Sequence, residues 1–142
     1  MKVVLDADVM VAAVRSRRGA SAAWLRAILR GEAQILVSVP LMLHYEAVLL
    51  RPEHRAPGFL SSAEVNVLLD AIAVIAIPVI ISYLWRPMLR DPNDELVLET
   101  AANGRADRLL TFNERDFAGA ERFAFRVSRP GPAWRAWLEE RV

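Results

Sequence analysis

The stretch VVLDADVMV (residues 3–11) joins a short apolar run to two acids and then to a second apolar run. Residues 3–5 have the length and composition of a buried strand, and Asp6 follows them directly. Asp is also a favoured capping residue, so one acid could simply cap a helix that begins near Val9. A single cap needs a single acid. The additional Asp8 therefore favours a functional site at the carboxyl end of this strand.

The rest of the chain alternates short apolar segments with longer segments of helical spacing. Strands are expected at residues 35–37, 77–81, 108–111 and 125–127, and helices at 21–29, 41–50, 61–73, 92–103 and about 130–141. This alternation predicts an α/β fold with a mostly parallel sheet and helices on both faces. Sites in such sheets lie at the carboxyl ends of the strands. The length of 142 residues, with no linker or repeat, predicts one domain over residues 1–142.

The composition excludes several classes of protein. The formal net charge is +1, so the chain lacks the large basic excess of many nucleic-acid-binding proteins. It has no cysteine, which excludes disulfides and thiolate-bound metals and favours a reducing, cytoplasmic compartment. The most apolar stretch, residues 71–81, is about half the roughly 20 residues that a membrane helix needs. Neither a membrane span nor a signal peptide is expected.

Glu46 is the acid whose setting on its helix is most informative. Its neighbours three and four positions away are all apolar, namely Met42, Leu43, Leu49 and Leu50. This spacing predicts that Glu46 lies within an apolar stripe, where an unpaired carboxylate costs several kcal/mol unless a cation or hydrogen bonds compensate. A metal site is the preferred interpretation. A buried ion pair with one of the arginines is the alternative.

Two further acids occur in polar segments that precede or follow predicted elements. Asp94 lies in RDPNDE (residues 90–95), which is also a good helix start with Asp91 as its cap. Asp116 lies in TFNERDF (residues 111–117), where charged side chains are often merely solvated. Taken with Asp6 and Glu46, these acids supply the oxygen ligands that Mg²⁺ and Mn²⁺ prefer. Such a metal can activate water and orient a phosphodiester.

Two other groups of residues are given less functional weight. His44 and His54, the only histidines in the sequence, are interpreted as surface residues outside the acidic set. Several arginines could bind phosphates near a site, or could form a solvated basic rim; they are Arg15, Arg17, Arg18, Arg86 and Arg90. Near the C-terminus, Trp134, Trp137 and Leu138 have helical spacing, which predicts a last helix packed against the body of the chain or a second subunit.

The four acidic segments, in this order, resemble those of PIN domains. The matching segments are residues 3–11, 38–49, 90–95 and 110–117, and the resemblance extends to about residue 128. The type that it resembles most is the VapC-like toxin of type II toxin–antitoxin modules. The resemblance implies a three-layer α/β/α fold and an endoribonuclease that needs Mg²⁺ or Mn²⁺. It also implies inhibition by a cognate antitoxin, and frequent homodimers.

The resemblance also implies roles for individual residues. Asp6, Glu46 and Asp94 would be catalytic metal ligands, with Asp116 as the fourth acid of the metal site. Thr111 and Asn113 would be auxiliary site residues. Position 8 is often Asn in this family and is Asp8 here, so an extra negative charge could alter the number of metals bound. Asp8 is accordingly counted as a secondary site residue.

Two other functions are left open. One is a haloacid-dehalogenase-type phosphatase, in which Asp6 would be the nucleophile and Asp8 its acid–base partner. Enzymes that resemble that class use a downstream lysine, whereas the only lysine here, Lys2, lies upstream. The other is a PIN-like protein without catalysis that serves only as a binding partner. Such proteins usually lose their acids, and all four are present in this sequence.

Overall fold

Five short strands form one parallel sheet in the computed structural model, which describes residues 1–54, 59–84 and 89–141. Arg86, one of the candidate phosphate ligands, lies outside these residues. The strand order is β3-β2-β1-β4-β5, and every neighbouring pair is parallel. The strands are β1 (Lys2–Leu5), β2 (Gln34–Val37), β3 (Ile77–Pro78), β4 (Arg108–Leu110) and β5 (Arg126–Ser128).

Helices cover both faces of this sheet and complete a three-layer α/β/α fold, which confirms the predicted fold class. They are α1 (Ala7–Arg15), α2 (Ala20–Leu29), α3 (Val39–Leu49), α4 (Ser62–Ile75), α5 (Pro92–Gly104) and α6 (Pro130–Glu140). Most are placed by ordinary capping chemistry. Ser38 caps α3, Ser61 forms a capping box with Glu64 at the start of α4, and Asp91 caps α5.

The strand order determines where a site can form. From the central strand β1 the chain adds β2 and β3 on one side, and then crosses to add β4 and β5 on the other. The direction of winding therefore switches between β1 and β4. Their carboxyl ends are adjacent, because Leu5 pairs with Leu110. Open parallel sheets bind ligands at such a switch point, and the next residues along the two strands are Asp6 and Thr111.

The third strand is shorter than the sequence predicts. The apolar run at residues 77–81 predicts a full strand, but only Ile77–Pro78 pairs with β2. Proline lacks the N–H that a sheet partner needs, and it is tolerated here because β3 is an edge strand. Ile80, which the sequence predicts to be buried, is 84% exposed.

The aromatic residues of α6 pack against α2 of the same chain. Trp137 stacks on Trp24 with ring centroids 5.0 Å apart, and Trp134 meets Trp24 edge-on at 5.2 Å. The indole N–H of Trp24 donates to the carbonyl of Pro130 at 3.0 Å, which fixes the start of the last helix. The two tryptophans thus belong to the body of the chain, whereas Leu138 is exposed. Within the described residues, no helix has both the length and the apolar character needed to cross a membrane.

Candidate metal centre at the switch point of the sheet

Asp6 occupies the central position of the candidate site. It is buried, with 7% of its surface exposed, and it caps α1 by accepting a hydrogen bond from the backbone N–H of Ala7 at 2.8 Å. Its other carboxylate oxygen accepts from the hydroxyl of Thr111 at 2.7 Å. The backbone N–H of Asp6 donates to the carbonyl of Leu110 at 2.9 Å. Asp6 is therefore both a helix cap and the acid at the point where β1 and β4 diverge.

Thr111 and Asn113 connect the two aspartates that follow β1. Thr111 is fully buried, and its hydroxyl accepts from the backbone N–H of Asn113 at 3.0 Å while it donates to Asp6. Asp8 Oδ2 accepts from the backbone N–H of Phe112 at 3.1 Å and from the side-chain amide of Asn113 at 3.0 Å. The segment after β4 is therefore bound to both acids of the segment after β1.

Asp94 approaches the site from the first turn of α5. Asp91 caps this helix by accepting from the N–H of Asn93 at 2.9 Å, and Pro92 occupies the first helical position. The local sequence therefore forms the helix start that it predicts. Asp94 is half-buried, and the negative charges that raise its pKa include those of Asp6, Asp91, Asp116 and Asp8. Asp94 thus lies within electrostatic range of the acids that follow β1.

Asp116 lies beside Asp94 but is more exposed. It belongs to the short 3-10 turn Glu114–Phe117, whose Phe117 is buried and anchors the segment. A cavity of about 610 Å³ opens between this turn and the start of α5. Its lining combines acids with basic side chains, and its residues are Leu89, Arg90, Asp91, Asp94, Arg115, Asp116 and Ala118. Carboxylates and guanidinium groups thus face the same open space.

Glu46 does not lie where the sequence predicts. The buried residues of α3 are Leu41, Tyr45, Val48 and Leu49, and Glu46 is exposed. The prediction that it lies in an apolar stripe is therefore wrong. Successive helical residues are about 100° apart, so Glu46 and His44 point to nearly opposite sides of the helix. Burial raises the pKa of Asp6, and the charge of the half-buried His44 partly offsets that rise.

Three residues that have no predicted role in the site also belong to this region. His44 is predicted to be a surface residue, yet it is half-buried and lies within electrostatic range of Asp6. The buried hydroxyl of Tyr45 donates to the carbonyl of Leu5, directly before Asp6. Asp91 is predicted only as a cap, but its charge also acts on His44 and Asp94. The spacing of Leu41, Tyr45 and Val48 is the one sequence signal that places His44 at the edge of the buried face.

The electrostatics of the acids suit a cation. Burial, with a smaller effect from the charge of Asp6, raises the pKa of Asp94 to about 7 and that of Asp8 to about 6. Burial also raises the pKa of Asp6, against the hydrogen bond from Thr111. In addition, Asp8 Oδ1 is buried and accepts no hydrogen bond from the described residues. A divalent cation would offset the mutual repulsion of these carboxylates and would give such an oxygen a partner.

The carboxylates lie near one another, but their oxygen atoms do not converge on one position. Among residues 1–54, 59–84 and 89–141, no three histidine, aspartate or glutamate side chains are already placed to hold a metal ion. The side chains of Asp94 and Asp116 lie at the rim of a cavity rather than in the packed core.

The raised pKa values predict how stability depends on pH without metal. An acid whose pKa rises from 3.8 to about 7 on folding, as for Asp94, binds its proton more tightly in the folded state. The free energy of unfolding should therefore fall as pH rises from about 4 to about 7. Asp94→Asn should reduce this pH-dependent loss of stability. Its free energy of unfolding should therefore exceed that of the wild type at about pH 7.5 but not at about pH 4.

Urea unfolding in EDTA at several pH values would test this prediction. Asp70→Asn is the matched control, because Asp70 is exposed on α4 and has no role in the site. It should follow the wild-type pH dependence. If Asp94→Asn and Asp70→Asn show the same pH dependence, the carboxyl of Asp94 is not held in a repulsive setting.

Comparisons with known proteins agree with the fold. Residues 2–115 match the family model described as PIN domain. The fold is similar to a chain in the crystal structure of VapBC2 from Rickettsia felis bound to a DNA fragment from their promoter, with a TM-score of 0.58 and 14% identity over 91% of this chain and 98% of that chain.

A second similar structure is that of FitAB bound to an IR36 DNA fragment. The TM-score is 0.54 at 18% identity, over 93% of this chain and 95% of that chain. No curated protein matches the sequence. At these identities the two structures show a shared fold.

Proposed function

Since the chain belongs to the PIN domain family, we propose that it is a metal-dependent endoribonuclease and the toxin of a toxin–antitoxin module. The observation that carries the proposal is the position of Asp6. It is buried at the switch point of the sheet, bound by Thr111, and within electrostatic range of Asp94 and Asp116, which approach from two other elements. Acids that converge in this way from separate segments suit a hard divalent cation such as Mg²⁺ or Mn²⁺.

Asp6, Asp94 and Asp116 would hold the cation, with Asp8 as an additional oxygen donor. When bound, the cation supplies a Lewis acid and a water of lowered pKa for attack on a phosphodiester. Thr111 fixes the orientation of the Asp6 carboxylate through its hydroxyl. Asn113 does the same for Asp8 through its side-chain amide. These contacts keep the two acids in place before any substrate arrives.

The cavity beside Asp94 favours a phosphodiester substrate. Arg90 and Arg115 line it together with Asp94 and Asp116. A guanidinium group binds two phosphate oxygens at once through parallel N–H donors. The arginines would bind the backbone of a single-stranded RNA, and the carboxylates would act on the phosphate between two nucleotides. The overall net charge of +1 is compatible with this role because two arginines line the cavity itself.

The toxin assignment rests on the type of PIN domain that the chain resembles. Its acidic segments resemble those of VapC-like toxins, and its fold is similar to chains of the VapBC2 and FitAB structures. A cognate antitoxin would then bind the chain and inhibit it. We place the active protein in the cytoplasm, as a homodimer that acts on RNA.

The structure provides an argument against the phosphatase alternative. Lys2 begins β1 and Asp6 follows its last residue, so the lysine backbone lies about 13 Å from the acid at roughly 3.3 Å per strand residue. Lys2 is also exposed, and it lies at the amino end of the central strand, where its backbone N–H donates to Asp107. It is therefore not placed to neutralise a phosphoryl group on Asp6.

Induced expression in a bacterial host tests the proposed function. The wild-type chain should arrest growth and reduce the integrity of cellular RNA, whereas Asp6→Asn should do neither. Asp70→Asn, an exposed Asp→Asn change on α4, should behave as the wild type. Co-expression of the protein encoded by an adjacent, overlapping small gene should restore growth if that protein is the antitoxin. Growth arrest that persists in Asp6→Asn would contradict a nuclease at this site.

A further inference from the structure

Helix α3 has a histidine, rather than a glutamate, at the edge of its buried face. Its buried face is formed by Leu41, Tyr45 and Val48, together with Leu49. His44 follows Leu41 by three positions and precedes Val48 by four, so it lies along the edge of that face. It is half-buried, whereas Glu46 is exposed on the other side. The helix thus places an imidazole where a carboxylate is predicted.

Two contacts fix α3 against the segments that carry the acids. The hydroxyl of Tyr45, the residue after His44, donates to the carbonyl of Leu5, the residue before Asp6. At the start of α3, the hydroxyl of Ser38 is 2.7 Å from that of Thr100 on α5. The helix is therefore joined both to the end of β1 and to the helix that carries Asp94. Its position relative to both acids is set by buried hydrogen bonds.

The charges around His44 come from both of these segments. Burial lowers the pKa of His44, and the carboxylates of Asp6 and Asp91 raise it. Arg51, at the end of its own helix, lowers it. Asp6 belongs to the segment after β1, and Asp91 is the cap of α5. The imidazole therefore lies within electrostatic range of both elements that would hold a cation.

We propose that His44 supplies a nitrogen ligand to the divalent cation held by Asp6 and Asp94, so that this centre binds Mn²⁺ more tightly than Mg²⁺. The inference rests on the proposed function, because it concerns the same cation. Mg²⁺ takes oxygen ligands almost exclusively, whereas imidazole suits transition metals. Mn²⁺ accepts both oxygen and nitrogen donors, so a set of carboxylates with one imidazole suits it better than Mg²⁺.

Pulsed EPR of the full-length, untagged protein loaded with Mn²⁺ alone tests this inference. The chain has only two histidines, so labelling histidine with ¹⁵N should change the nitrogen coupling to Mn²⁺ in the wild type. His44→Gln should lose the coupling and bind Mn²⁺ about tenfold more weakly, equivalent to roughly 1.4 kcal/mol. His54→Gln is the matched control and should keep it, because the ring of His54 contacts the carbonyl of Val48.

His44→Glu provides a second variant that retains a ligand. It should still bind Mn²⁺ but show no nitrogen coupling from histidine. The ratio of its Mn²⁺ affinity to its Mg²⁺ affinity should be smaller than that of the wild type. Thermal melts of the variants without metal would verify that each is folded.

The outcomes separate the inference from the function on which it rests. One outcome is that Mn²⁺ binds the wild type, that Asp6→Asn weakens this binding, and that no histidine coupling is seen. In that case His44 is not a ligand, and the proposed function stands. The same conclusion follows if the coupling survives in His44→Gln. If Mn²⁺ does not bind the wild type at all, both proposals are wrong.

Discussion

Asp6→Asn is expected to reduce RNA cleavage by about 10³-fold or more while the chain stays folded. Asp6 would act on the transition state through the cation that it holds, and a loss of about 4 kcal/mol of such stabilisation corresponds to this factor. Asn keeps one oxygen that can accept from the N–H of Ala7, and it is as good a helix cap as Asp. Its NH₂ group replaces the oxygen that accepts from Thr111, so it can only donate to that hydroxyl. The change therefore removes the negative charge, keeps the cap on α1, and reverses the direction of the hydrogen bond with Thr111.

Initial rates on a 5′-labelled single-stranded RNA would measure this loss, with Asp70→Asn as the matched control. Because burial raises the pKa of Asp6, the uncharged Asn should leave the metal-free protein as stable as the wild type or more stable. If Asp6 only capped α1, Mn²⁺ would not change the stability of either the wild type or Asp6→Asn. An Asp6→Asn protein that cuts RNA at the control rate would remove Asp6 from the active site.

Mn²⁺ is expected to stabilise the wild-type chain by a large amount. A ligand that binds only the folded state at a hundredfold excess over its dissociation constant contributes about 2.7 kcal/mol to the free energy of unfolding. Here the binding of a cation also relieves repulsion between Asp6, Asp8 and Asp94, whose pKa values are all raised in the metal-free protein. The stabilisation should be larger at about pH 7.5 than at about pH 5, because protonated acids compete with the metal.

Thermal melts in EDTA and in Mn²⁺ would show this effect for the wild type, Asp6→Asn and Asp70→Asn. The rise in melting temperature should be much smaller in Asp6→Asn and unchanged in Asp70→Asn. Equal rises in all three proteins would mean that Mn²⁺ binds elsewhere on the chain, and the proposed centre would lose its main support.

The parts of this fold that follow from local sequence could be predicted. Residues 3–5 form a strand because they are apolar and end at an acid, and Asp91 and Pro92 begin a helix through ordinary capping. The alternation of such segments was enough to predict a parallel sheet with a site at the carboxyl ends of its strands. Asp6 and Thr111 then lie side by side because their strands are neighbours in that sheet.

The face of α3 that points to the site could not be predicted in the same way. The solvent-facing side of this helix also carries apolar residues, such as Val39 and Leu43, which are 74% and 61% exposed. A helix that is apolar on nearly all sides gives no reliable indication of its buried face. The sequence therefore predicts a buried Glu46 and a surface His44, whereas the structure has an exposed Glu46 and a half-buried His44. The hydrogen bond between Asn113 and Asp8 was equally hidden, since it joins residues more than a hundred positions apart.

The central claim is that this chain cuts RNA through a metal held at the switch point of its sheet. The most direct measurement is the rate at which the purified wild-type chain cleaves a single-stranded RNA in Mn²⁺ and, separately, in excess EDTA, with Mn²⁺ then restored to the chelated sample. We expect cleavage in Mn²⁺, none in EDTA, and recovery when Mn²⁺ is returned. Cleavage that continues undiminished in excess EDTA would contradict the account.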